Sequence, residues 1–240
     1  MPKFEPVKQG SIRSRIVEAV RSAIYSGQLH PGDPLVELQL ARDFQVSQAP
    51  VREALFQLER LGLVRRVPNK GTFVTKLSLE EVRERLQVRV QLEIMAAQEA
   101  ASRVSRDDIQ TLERHVEEIS AAILRNDYFE SFKADLEFHR HVWTMSGNRT
   151  LYSVLDQIAA PMFAFLSIVR SSRLDNLKRV MHSHQEIVQA LLSADPEVIR
   201  NVVQFHFKDS YDFFLDPEHA EAKAMIDATT SDHTRRSVTA

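Results

Sequence analysis

A mainly α-helical chain in two parts is predicted, a winged helix-turn-helix head followed by an antiparallel all-α bundle. Three observations predict it. Leu35 to Val74 reads as helix, turn, helix and hairpin; from Leu79 onward apolar residues recur at helical spacing with few breakers; and the charge changes sign between the parts. Up to Leu77 there are 12 Lys and Arg against 7 Asp and Glu, a net of +5, whereas the remainder holds 19 against 26, a net of −7. A basic head on an acidic body suits a chain that meets phosphates with one part only. The expected boundaries are 1–77 for the head, 78–216 for the bundle and 217–240 for a tail.

Composition narrows the chemistry. The 240 residues, 43% of them hydrophobic, can fill a core in each part. No run of 18 apolar residues and no leader at Met1 to Gly10 is present, so a soluble, cytoplasmic protein with no membrane partner is expected. The absence of cysteine removes disulfides, thiolate metal sites and Cys nucleophiles together. None of the 6 glycines forms a GxGxxG or a P-loop.

In the head, Ser11 to Ser26 is predicted helical, with Ile12, Ile16, Val20 and Ile24 on one face and Gly27 at its end; His30-Pro31-Gly32 then turns the chain. The next helix carries Leu35, Leu38, Leu40, Ala41 and Phe44 and stops at Gln45-Val46. Ser47 is placed to cap the following helix through its side-chain oxygen, and Pro50 falls in the opening turn, where a missing N–H costs nothing. Val51, Leu55, Leu58 and Leu61 form its inner stripe, leaving Gln48, Ala49, Arg52 and Phe56 outside. Such a helix, with an Arg near its start, fits a DNA major groove. After Gly62, Leu63 to Val67 and Thr72 to Thr75 flank Pro68-Asn69-Lys70-Gly71 as a hairpin wing.

Six helices are predicted in the bundle: Leu79 to Arg103, Arg106 to Arg125, Tyr128 to Ser146, Leu151 to Ser171, Leu174 to Ser193 and Pro196 to Phe214. Ser105 precedes an acidic first turn, Gly147-Asn148 ends the third helix, and Asp195-Pro196 opens the last. Beyond Pro217, a weak helix at Glu218 to Ala228 and a polar, flexible end are expected.

Four polar residues point inward. Asp135 and His139 lie one turn apart on one face; His184 shares its face with Val180, Ile187, Val188 and Leu191; His206 follows Ile199, Val202 and Val203. An inward carboxylate must be paired, hydrogen-bonded or on a metal, and neutral imidazoles supply nitrogen ligands. One such His alone is read more simply as a hydrogen-bonded core residue. Three together with Asp135 point to a divalent ion.

The order G-Q-L-x-P-G, L-x-E-x-x-L-A, V-S-x-x-P-V-R-E-A-L-x-x-L-x-x-x-G-L-V and G-T-F-V over about residues 11–76 resembles the winged head of the GntR family. That resemblance implies a homodimeric transcription factor on a palindromic double-stranded operator. Ser47 would contact phosphate, Arg52 would read a guanine and Gly71 would enter the minor groove, with Gln48, Ala49 and Lys70 on the same DNA-facing surface. Two departures stand out: Gln48 replaces the family's usual Arg, and Leu38 lies where some members carry a basic residue. Arg pairs with guanine and Gln with adenine, so the operator is expected to differ at the base Gln48 faces; contact with phosphate or water alone is the other reading.

The D-x-x-x-H pair, the His in each of the last two helices and the S-G-N after the first pair resemble the FCD effector domain of the FadR subfamily, over 79–215. Six helices match its VanR-like branch. The resemblance implies that Asp135, His139, His184 and His206 hold a divalent ion, with zinc expected first and nickel or manganese as alternatives. Free coordination positions would take a small organic acid. Arg89, in V-R-x-x-L-E, reads either as a bidentate clamp on that acid or as a surface partner of Glu93. Asn148 and Arg170 read either as chamber residues or as a cap and a surface residue. A ligand-operated repressor is therefore expected, with a metal sensor as rival. An enzyme is not expected: a metal-dependent hydrolase lacks an evident second carboxylate as general base.

Overall fold

The computed structural model describes residues 12–170 and 177–215, with the side chains of Tyr128, 165–170, 177–181, Asp209 and 212–215 outside the description. The expected tail lies outside the described residues, as does the side chain of Arg170. The chain divides into two compact units, Met1–Thr75 and Lys76–Ala240.

In the first unit the order is α1 (Ile12–Tyr25), β1 (Pro34–Leu35), α2 (Glu37–Asp43), α3 (Gln48–Arg60), β2 (Val64–Val67) and β3 (Gly71–Val74). Helix α1 packs on α3, joining Ile16, Val20 and Ile24 to Val51, Ala54, Leu55 and Leu58, all of them buried. Ile12, expected on the same face, is 52% exposed at the helix end. The wing is a three-stranded antiparallel sheet in the order β1-β3-β2, with Pro34 opposite Phe73 and Val64 opposite Val74. Strand β1 was not predicted because two residues carry no periodicity. At the wing tip Asn69 (φ 61°) and Gly71 (φ 111°) adopt positive φ. A Cβ on Gly71 would meet nothing within 4 Å, so backbone conformation rather than crowding requires glycine there.

Three expectations in the head need correction. Leu35, expected on the apolar face of the second helix, lies before it in β1, paired with Thr72 of β3. Ser47 is the N-cap residue of α3 and has extended φ and ψ, but it makes no side-chain cap hydrogen bond. Its side chain is exposed. Leu38 is 48% exposed instead of joining the α2 apolar face, because α2 spans only Glu37–Asp43 and of its residues only Ala41 is buried.

The second unit contains α4 (Leu79–Ala101), α5 (Arg106–Leu124), α6 (Tyr128–Met145), α7 (Arg149–Arg170), α8 (Leu177–Ser193) and α9 (Pro196–Leu215). The six predicted helices are thus present among the described residues, with described ends shifted by up to two residues; residues 174–176, expected to open the fifth, lie outside the described residues. Capping boxes start α4 and α5: Ser78 Oγ accepts from Glu81 N at 3.2 Å, and Ser105 Oγ from Asp108 N at 3.1 Å. Helix α7 begins two residues earlier than predicted because Asn148 Oδ1 accepts the Leu151 N–H at 3.0 Å. Helix α4 is central, packing on α6, α7, α8 and α9. Its buried stripe runs Val82, Leu86, Arg89, Glu93, Ala97 and Ala100, carrying two charges into the core.

Candidate metal centre and DNA-facing surface

His139 on α6, His184 on α8 and His206 on α9 each offer a ring nitrogen, and these atoms all lie within 4.8 Å of one another. All three side chains are buried. Asp135, one turn before His139, brings Oδ1 to 2.8 Å from His184 Nε2 and 3.4 Å from His139 Nε2. The structure thus brings together all four residues singled out by helical spacing. Phe138, Phe163, Phe207 and Trp143 surround the rings, all of them nearly inaccessible to solvent.

Behind His139 lies a second, buried carboxylate. Glu93 Oε2 is 3.3 Å from His139 Nδ1 and accepts the Trp143 indole N–H at 2.8 Å. Its Oε1 accepts from Arg89 Nε at 3.0 Å, and Arg89 Nη1 reaches the Tyr211 hydroxyl at 3.1 Å. The Arg89 guanidinium lies over two rings, 4.7 Å from the centroid of Phe163 and 4.8 Å from that of Phe207. Arg89 and Glu93 do form an i,i+4 pair, but a buried one rather than the surface pair considered from sequence. Ser183 Oγ is 2.9 Å from His206 Nδ1.

Electrostatics fit a cation. Burial opposes the charge of Glu93, but His139 and Arg89 outweigh it, with hydrogen bonds from His139 and Trp143, and hold its carboxyl below the usual range. Asp135 is likewise lowered: burial works against its charge, and His184, then His139 and Arg89, more than offset this. Burial, then the neighbouring His184, His139 and Arg89, push His206 well below the usual imidazole range. His206 is therefore neutral near pH 7, as a nitrogen ligand must be. Three imidazoles and a carboxylate suit zinc, nickel or manganese.

The other predicted chamber residues differ. The carboxamide oxygen of Asn148 caps α7, the second of its two expected roles, and the side chain of Arg170 lies outside the described residues. Sequence reasoning missed Glu93 as a site residue, and with it Trp143, Ser183 and Tyr211. The 82, 86, 89, 93, 97, 100 spacing was the available signal, since it puts Arg89 and Glu93 in one core stripe with Val82 and Leu86.

In the head, Gln48, Ala49 and Arg52 are exposed on α3 while Val51, Ala54, Leu55 and Leu58 are buried. Arg52 donates to Glu37 Oε2 through Nε at 3.0 Å, with Nη2 also at 3.0 Å. Arg66 stacks on the exposed ring of Phe56, 3.5 Å from guanidinium carbon to centroid. Lys70 and Gly71 are exposed at the hairpin tip, and Leu38 and Gln48 border one shallow depression.

A winged helix-turn-helix that exposes the polar face of its second helix, joined to a helical bundle, defines a DNA-binding transcriptional regulator. Comparison with known proteins agrees. Residues 12–74 match the family described as bacterial regulatory proteins, gntR family, and residues 84–209 match the FCD domain. The chain belongs to the GntR family, with an FCD domain as its second part. It is 25% identical over 201 residues to the HTH-type transcriptional repressor RspR of Escherichia coli K12, covering 82% of this chain and 86% of RspR. It is 28% identical over 192 residues to the HTH-type transcriptional regulator LutR of Bacillus subtilis, covering 72% of this chain and 87% of LutR. E. coli McbR/YncC shares the fold, with a TM-score of 0.76 at 20% identity over 86% of this chain and 98% of the other. RspR and LutR are both named HTH-type transcriptional regulators or repressors.

Proposed function

We propose that the protein is a metal-containing, ligand-responsive repressor that binds a palindromic operator as a homodimer in the cytoplasm. The convergence of His139, His184 and His206 beside Asp135 carries this reading. These four residues would hold one divalent ion, which when bound supplies a fixed positive charge and positions for a small organic acid. Around it the chain's own residues exclude water, with Phe138, Phe163, Phe207 and Trp143 closing the site. An acid that fits one arrangement of the protein better than another shifts operator affinity by that difference.

Further observations support the parts. RspR is named a repressor. Leu124 (79% exposed) on α5 and Phe205 (56%) and Val198 (41%) on α9 line one groove together with α8 residues such as Gln189, and offer an apolar face for self-association. No helix among the described residues is long and apolar enough to cross a membrane. Ser47, Gln48, Ala49, Arg52, Lys70 and Gly71 would form the DNA contact.

One observation favours the rival reading, a metal sensor: Arg89, the expected clamp on an acid, is already bonded to Glu93 and Tyr211. Duplexes selected from a random library would first define the operator. Binding of chelated protein would then be titrated with zinc, nickel and manganese, and with small carboxylic acids. A change produced only by an acid on metal-loaded protein supports the metabolite switch, a change on metal alone supports the sensor, and indifference to both overturns each.

A further inference from the structure

We propose that Glu93 is a positioning residue for the metal centre, fixing His139 as the tautomer whose Nε2 lone pair faces the ion site. The inference rests on the metal reading above. Glu93 is 3% exposed, and its Oε2 lies between His139 Nδ1 at 3.3 Å and Trp143 Nε1 at 2.8 Å. An ionised carboxylate only accepts hydrogen bonds, so the hydrogen of a neutral His139 sits on Nδ1. The lone pair is then on Nε2, the nitrogen that points to Asp135 Oδ1 at 3.4 Å. His184 directs its own Nε2 to the same oxygen at 2.8 Å.

Glu93 is itself held in place. Trp143 is fully buried and hydrogen-bonds one carboxylate oxygen, while Arg89, between Phe163 and Phe207, hydrogen-bonds the other. The carboxylate therefore links α4 to α6 and fixes the orientation of one ligand ring. A carboxylate on the far nitrogen also raises the basicity of a ligating imidazole, and losing such a partner weakens metal binding by about 10–100-fold. The competing explanation is that Glu93 serves only to neutralise the buried Arg89.

Three proteins separate these explanations: wild type, Glu93→Gln, and the doubly neutral Arg89→Met/Glu93→Gln, which leaves no unpaired buried charge. In each, zinc and cobalt affinity is measured by chelator competition, and the His139 tautomer by nitrogen-15 NMR on metal-stripped protein. Both variants should bind metal about 10–100-fold more weakly, and His139 should lose its uniform Nδ1–H signal. Wild-type affinity in either folded variant, or an unchanged Nδ1–H signal, overturns the proposal. If wild type takes up neither ion, the metal reading fails, and the NMR signal still decides whether Glu93 sets the tautomer.

Discussion

That Asp135 and His139 lie together was legible because a spacing of four puts both on one face of a helix whatever surrounds it. Glu93 was not, since an Arg and a Glu at i,i+4 look alike on a wet face and in a core. The distinction shows only in the run of core positions through α4. Two predictions belong at this scale. Gln48 is exposed at the start of α3, so Gln48→Arg should move selected sites from adenine towards guanine at one base pair per half-site, with about 1–3 kcal/mol of discrimination. Binding-site selection with the two proteins checks it, and identical preferred sequences would reject it. The second concerns pH. The pKa of His206 is depressed from 6.5, so the unfolded chain takes up its proton first and stability falls as pH drops below about 6.5. Glu93 and Asp135 are also lowered, from 4.5 and 3.8, and extend the loss in the same direction at more acid pH. Thermal melts of metal-stripped protein from pH 7.5 downward should show a decreasing midpoint; a constant midpoint across pH 7 to 5 would contradict the buried neutral imidazole.

Among the elements, α4 to α7 and α9 were readable because each combines an apolar stripe with a side-chain cap at its start. Ser105 illustrates the agreement, with Asp108 completing the box. Strand β1 shows the limit: Pro34 and Leu35 are a strand only because β3 lies beside them. Ser47 shows another limit, since residue type placed a cap correctly but could not say whether its hydroxyl turns to the helix or away. The Ser78 box does close on α4, so Ser78→Ala should destabilise the bundle by about 1 kcal/mol. Urea unfolding measures that loss, and an unchanged midpoint would mean that the cap contributes nothing. In the wing, Gly71→Ala should cost about 1–3 kcal/mol through its positive φ and weaken operator binding, whereas a Cβ alone meets no obstacle there.

For the molecule as a whole, charge asymmetry and pattern gave both parts, and family comparison fixed the class of protein. A surface for assembly was not legible, since an exposed apolar face is defined only when helices are packed. Leu124 and Phe205 come from different helices, 81 residues apart in sequence, the difference of their positions. Leu124→Glu together with Phe205→Glu should convert a dimer into a monomer in analytical ultracentrifugation and weaken binding to a two-half-site duplex. A dimer unaffected by the pair would move the interface elsewhere. The proposed metal would be held by one residue from each of α8 and α9 and two from α6. Metal analysis of wild type and His184→Ala purified without chelator tests it most directly. About one divalent ion is expected per wild-type chain, for the single four-residue site, and essentially none in the variant. No ion in the wild type, or equal ion content in the two proteins, would contradict it.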